Sequence, residues 1–164
     1  MKKEKGFSLI ELLIVVAIIG IIAAIAVPNL LKSRQAANEA SAISAMRTIG
    51  TAQATYQNTY GKNSEFAKAM SDLQSGAFVD ATLGSGIKSG YTFATTGTAS
   101  GTSPVTPSYF DTTSSPQSVG NFGTGNRSFY SNETYVIYQN GGSVAPSAGT
   151  TSSVRVPTTG TPIQ

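Results

Sequence analysis

At 164 residues the chain is long enough for one domain of the usual size, about 100–150 residues, plus an appendage. It has no cysteine, histidine or tryptophan, which excludes disulfides, thiolate chemistry and cysteine metal sites and removes the commonest general base. With 8 acidic residues, hydroxyls, Tyr and Lys left to do chemistry, the composition argues against an enzyme and implies no cofactor and no metal site. The formal charge of +3 is concentrated at the start, where Lys2, Lys3 and Lys5 stand against Glu4. Removing three of the 11 basic and one of the 8 acidic residues leaves 8 against 7. The sequence pI near 9.2 therefore belongs to Met1–Gly6, and nucleic acid is not indicated as a partner.

From Leu12 to Leu31 there is no ionisable side chain. As a helix, Phe7–Leu31 would extend about 37 Å, against a bilayer core of about 30 Å. Its apolar residues fall on every side, the pattern of a lipid-immersed helix rather than an amphipathic one. The Lys-rich start places the N-terminus in the cytoplasm by the positive-inside bias. Three readings compete. One is a plain anchor. Another is a cleaved secretory signal using Ala24-Ile25-Ala26. The third is a short leader cut after Gly6 with the apolar helix retained. Glu11 separates them: at the centre of a membrane helix a carboxylate costs up to about 2.5–3.5 kcal/mol, less near the interface, and neither anchor nor signal recovers that. In the third reading, cleavage before Phe7 would free an α-amine, a cation four positions from Glu11 and on the same helix face.

Gly6-Phe7-Ser8-Leu9-Ile10-Glu11, between a basic leader and an apolar run, resembles the N-terminus of type IV pilins and of type II secretion pseudopilins. The resemblance implies that Gly6 ends the leader and that Phe7 opens the mature chain and is N-methylated. It also implies that Glu11 registers each subunit against the Phe7 amine of a neighbour. Gly20 and Pro28 each disfavour a regular helix, so a kink is expected there in the monomer; the resemblance implies that the stretch between them can lose helicity in the filament. Implied partners are a prepilin peptidase/methyltransferase, the pilus assembly machinery, the inner membrane before assembly, and a homo-oligomeric helical filament of the same chain. Implied locations are the bacterial inner membrane, single-pass, and then an extracellular pilus or periplasmic pseudopilus.

Beyond Lys32 the helical pattern becomes amphipathic. Ile43, Met46, Ile49, Tyr56 and Tyr60 step by mostly three or four residues with Gln53 filling the gap, and Gly61 is a stop. One helix from about Phe7 to Tyr60 is expected. A second should run from Glu65 to Ser75, capped by Ser64, with Phe66, Met70 and Leu73 on one face and Gly76 after it. Asp80 should cap Ala81–Leu83. After Gly84, Tyr91–Thr95, Arg127–Tyr130 and Thr134–Gln139 read as strands, the last two joined by Ser131-Asn132-Glu133. Asn140-Gly141-Gly142 ends the last of them. Ala99–Thr106 and Asp111–Gln117 read as loops, and everything after about Val144 as a loose tail in which Val154–Val156 could add an edge strand. Lys88–Phe93 and Arg127–Tyr130 are also similar to strand segments of environmental bacterial pilin-like heads.

The expected fold is thus α+β: a long N-terminal helix, apolar then amphipathic, packed against a small antiparallel sheet. Its parts are a leader (1–6), an apolar membrane or filament-core helix (7–31), the amphipathic half (32–62) and a Ser/Thr/Gly-rich head (63–164). Many pilins close the C-terminal region with a disulfide; here hydrogen bonds, subunit packing or an ion must serve. Asp111 and Glu133 are too few carboxylates for a calcium cage. Gly120–Gly125 lacks the Lys-Ser/Thr of a phosphate loop and reads as a flexible loop. Asn126 and Asn132 sit in glycosylation-type triplets that chance explains. The leading function is a structural subunit of a type IV pilus or pilus-like filament, the family rival a type II secretion pseudopilin. A rival of another class is a secreted or anchored adhesin or binding module with a conventional signal.

Overall fold

The computed structural model describes residues 6–102, 105–147, 155–157 and 159–163. One helix, α1 (Leu9–Thr59), takes 51 residues and is about 77 Å long. It starts after Ser8, whose backbone is extended, and stops where Tyr60 and Gly61 both donate to the Tyr56 carbonyl. Gly61 is required there: a Cβ would lie 2.0 Å from the Glu65 carbonyl oxygen. The next two residues, Lys62 and Asn63, are left-handed and turn the chain back.

The two halves of α1 have different surroundings. Its side chains are exposed as far as Leu30, whereas Gln35, Glu39, Ala42, Met46, Ile49 and Gln53 form a buried stripe stepping by four and three residues. Met46, Ile49 and Gln53 are buried where the periodicity placed them; Ile43 and Tyr56 are half-buried, and Tyr60 is 63% exposed. The stripe meets an antiparallel sheet ordered β1-β2-β5-β6-β7-β8. These are β1 (Ile87–Lys88), β2 (Tyr91–Thr98), β5 (Tyr109–Pro116), β6 (Arg127–Asn132), β7 (Ile137–Gly141) and β8 (Thr161–Ile163). A two-residue ladder, β3 (Gly101–Thr102) with β4 (Val105–Thr106), lies between β2 and β5. Two short helices, α2 (Met70–Ser75) and α3 (Ala81–Gly84), add Met70, Leu73 and Leu83 to the core. Asp80 caps α3 as expected, accepting from the Leu83 N–H at 2.8 Å, and that bond, with Lys88 beside it, holds its carboxyl below the usual range.

Several local expectations are corrected. The second helix begins at Met70, not Glu65. Gln53, fully buried on α1, pairs with both backbone groups of Ala67 (2.9 and 3.1 Å) and donates to Thr95 Oγ1 at 2.8 Å, holding Phe66–Ala67 out of a helix. Phe66, Met70 and Leu73 are nevertheless all buried. Asp111–Gln117, read as a loop, forms most of β5, a central strand paired with β2 on one side and β6 on the other. Its helix-facing Thr112 bonds Thr95 at 3.0 Å, so small hydroxyls replace the apolar alternation that would have marked it. Ala99–Thr106 contains the β3–β4 ladder, with residues 103–104 outside the description. The hairpin turn falls later than Ser131–Glu133. β6 runs to Asn132, whose Oδ1 accepts from the Thr134 N–H and hydroxyl. Tyr135 is left-handed, and β7 starts only at Ile137.

Residues after Val144 are not a loose tail where they are described. Pro146 is buried, β8 pairs with β7, and Arg155 lies over the sheet face opposite α1. Arg155 makes two bonds to Asp111 (2.7 and 2.6 Å) and one to Glu133 (3.2 Å), and stacks 3.8 Å from the Tyr109 ring centre. Its carbonyl accepts from Asn132, and Tyr130 donates to the same Asp111 carboxylate. Burial opposes the charge on Arg155, but Asp111 and Glu133 outweigh it and raise its pKa. Desolvation first, then the Asp111 bond, pushes the Tyr130 phenol far up. β6 is accordingly buried on both faces from Ser128 to Asn132. The expected edge strand at Val154–Val156 is not formed at Arg155 and Val156, and Val154 lies outside the described residues; the edge is β8.

Candidate functional site: the exposed apolar half of the long helix

The first six turns of α1, as far as Leu30, are exposed throughout. Phe7 is 87% exposed, Leu9 80%, and the apolar residues from Leu12 to Leu30 remain exposed on every side. Among the described residues this is the one helix long and apolar enough to cross a membrane. Left in water, each such side chain forgoes about 1.5–3 kcal/mol of burial, so this surface demands lipid or other protein around it.

Each sequence-predicted residue has a defined place on that rod. Gly6 and Phe7 lie outside the helix in exposed chain, so their peptide bond is not tied into a helical ladder. Glu11 is in the first turn, where its Oε2 accepts from the Ser8 N–H at 2.9 Å. That places a carboxylate at the positive end of the helix dipole and satisfies one free backbone donor. This local role was missed in the sequence, although Ser8-x-x-Glu11 is a capping-box spacing. Gly20 has open space where a Cβ would be, and α1 runs unbroken through both Gly20 and Pro28. Phe7 and Glu11 therefore sit together at the tip, while Gly20 and Pro28 lie along the shaft.

The shaft joins the head through polar contacts that sequence reasoning also missed. Glu39 Oε1 accepts from the Asn126 N–H at 2.9 Å, and its Oε2 from Arg127 at 2.8 and 2.7 Å. Gln35 and Asn38 bond the carbonyls of Gly120, Gly123 and Thr124. The glycine-rich loop read as flexible is thus docked on α1. A signal was present: Gln35 and Glu39 continue the four-three stepping of Ala42, Met46, Ile49 and Gln53. Tyr91 completes this join by donating to the Arg127 carbonyl at 2.9 Å; desolvation, with Glu39 nearby, pushes its phenol up to about 12. Asp111 and Glu133, weighed as cation ligands, instead converge on Arg155.

The geometry defines an α+β protein whose core is complete without the first half of its longest helix. The prokaryotic N-terminal methylation motif matches residues 1–27. The chain is 43% identical over 65 residues to the type IV major pilin protein PilA of Myxococcus xanthus, covering 40% of this chain and 30% of that protein. It is 46% identical over 66 residues to the type IV wide pilus major component PilA4 of Thermus thermophilus, covering 38% and 50%. To the type II secretion system core protein G of Escherichia coli it is 34% identical over 55 residues, covering 34% and 38%. The chain thus matches half or less of the length of these relatives. No solved structure matches it. The motif and the relatives together support a type IV pilin or pseudopilin family.

Proposed function

We propose that this chain is a structural subunit of a type IV pilus or pilus-like filament, assembled through α1, and not an enzyme. The observation that carries the reading is the wholly exposed apolar helix with a single carboxylate, Glu11, at its tip. In this scheme residues 1–6 are a leader removed by prepilin peptidase between Gly6 and Phe7, and Phe7 is N-methylated. Residues 7–31 span the inner membrane, N-terminus cytoplasmic, and later line a filament core. Residues 32–62 back the head at 63–164. Cleavage frees an α-amine on Phe7, and the Glu11 carboxylate of an adjoining copy pairs with it in a low-dielectric bundle. Moving the helix from lipid to protein changes little in hydrophobic burial, so packing and that pair set the register. Gly20 and Pro28 mark where the helix would give way on assembly, since neither residue favours a regular helix.

The likeness to the type II secretion core proteins supports a second reading, a pseudopilus subunit, and both readings use the same helix. Mass spectrometry of the protein made with and without a prepilin peptidase tests the processing step. The expected mature chain begins at Phe7 and carries one extra methyl group. A chain beginning at Val27 would mean a conventional signal and an exported binding module, and would overturn the filament reading.

A further inference from the structure

The head carries an apolar tip that its own fold leaves uncovered, and the tip lies at the end facing the bare half of α1. The loop between β5 and β6 is laid along the helix in a fixed order. Gly120 and Gly123 carbonyls accept from Gln35 Nε2 (2.6 and 3.1 Å), the Thr124 carbonyl from Asn38 Nδ2 (2.9 Å), and the Asn126 N–H donates to Glu39 (2.9 Å) while its side-chain amide reaches back to Gln35 Oε1 (3.2 Å). Rising loop numbers thus track away from the apolar half, and the turn Gly120–Gly123 is the end closest to it. Helix side chains lean toward their own N-terminus, so Gln35 holds that turn back toward the level of Leu31, about 6 Å along the axis. The turn is built: Gly123 N–H donates to the Gly120 carbonyl (3.0 Å), Thr124 N–H to the Ser118 carbonyl (2.8 Å), and Gly120 N–H to Asn126 Oδ1 (3.2 Å). Yet Phe122 at its tip is 83% exposed and Val119 50%. Lys32 and Arg34, on the turn of α1 after the apolar run, are exposed, and neither is in an ion pair among the described residues.

We propose that this edge of the head is a membrane-interface anchor. Phe122 and Val119 enter the headgroup–acyl boundary of the bilayer that holds Phe7–Leu31, and Lys32 and Arg34 bind phosphates of anionic lipid. The inference rests on the membrane-spanning reading above, because the span fixes Leu31 at the bilayer surface and the loop is docked at Gln35, one helical turn, about 6 Å, beyond it. An aromatic ring and a flanking aliphatic residue beside two cations match the chemistry of that boundary, where apolar groups reach the acyl chains and Lys or Arg stay with the phosphates. The anchor would hold the head against the bilayer in the stored subunit, and extraction into a filament would have to release it.

Because the chain has no tryptophan, Phe122→Trp introduces the sole indole, at an exposed position that leaves the core untouched. The full chain is reconstituted in vesicles of phosphatidylethanolamine and phosphatidylglycerol, with Ile19→Trp as a separate reporter of the span, read with acyl chains brominated near their ends. The expected result is loss of most of the position-122 emission when the acyl chains are brominated near the headgroup, and weaker quenching when Lys32 and Arg34 are both replaced by Ser. Quenching of the position-19 indole but not of the position-122 indole would overturn the anchor and leave the span standing. Position-122 emission that ignores bromine but becomes shielded from aqueous quencher as protein density rises would assign the tip to a second copy and also overturn it. If neither indole is quenched, the span fails and the anchor with it.

Discussion

Gln53→Ala should be among the most damaging single changes in the head. Gln53 is fully buried, its Oε1 accepts from the Ala67 N–H at 2.9 Å, and its Nε2 donates to the Ala67 carbonyl at 3.1 Å and to Thr95 Oγ1 at 2.8 Å. Ala67 is itself fully buried, so bulk water does not reach the two groups that lose their partner. Thr95 keeps Thr112 and the Asp111 carbonyl, so of the three groups that lose Gln53 only the two backbone groups of Ala67 are orphaned. At about 1–3 kcal/mol for each unsatisfied group, with some relaxation, the expected loss is about 3 kcal/mol. That is a large part of the roughly 5–15 kcal/mol that holds a domain together. Gln53→Leu fills the space but orphans the same two groups and should lose nearly as much; a purely volumetric role for Gln53 would spare it. Urea unfolding of the full chain in detergent, followed by tyrosine near-ultraviolet circular dichroism, reads both variants. Two midpoints matching wild type would refute the idea that this side chain shapes the Phe66–Ala67 segment.

Arg155→Met should free the C-terminal segment from the sheet. Asp111 and Glu133 keep about a quarter of their side-chain surface in water, so the loss should be about 2 kcal/mol, below that of a fully buried pair. Limited proteolysis should then cut beyond Pro146 much faster than in wild type, and an unchanged cleavage pattern would contradict the tether. Alkaline titration should set Tyr91 and Tyr130 apart. With its folded pKa raised to about 12 from 10.0, Tyr91 contributes stability that is complete below pH 10 and lost as the pH rises toward 12. Tyr130 is raised in the same sense by burial and Asp111. Phenolate absorbance should therefore show a late step coincident with unfolding, and one step near pH 10 in a still-folded chain would contradict it.

The long helix and its division were legible because both signals are local. The uncharged run after Glu11 needs no partner to be recognised, and the stepping of Met46, Ile49 and Gln53 names the face that the sheet covers. The same stepping extended to Gln35 and Glu39, but polar letters on an amphipathic helix look like its wet side until their partners, Gly120, Gly123, Asn126 and Arg127, are known to lie opposite. β5 was illegible for a related reason. Thr112 and Ser114 face the core, Asp111 and Thr113 face the other way, and the strand shows no apolar alternation on either side. Residues 65–69 have helical spacing, yet a non-local pair from Gln53 to Ala67 overrides it. The bond between Arg155 and Asp111 joins positions 44 apart, which no local pattern could announce. At the tip, the acid was noticed for its cost in lipid and its capping of Ser8 was overlooked, so Glu11 has two functions to separate.

Glu11→Gln separates them. A glutamine at the third helical position can still accept from the Ser8 N–H, so the helix start survives while the charge is gone. Filaments are counted by electron microscopy in cells producing only the variant, with membrane-inserted, leader-processed protein quantified alongside. If an acid meets the freed amine of Phe7 on a neighbour, the processed subunit accumulates in the membrane and filaments are lost. Filaments at wild-type abundance from Glu11→Gln chains would contradict that pairing and leave Glu11 as a helix cap alone.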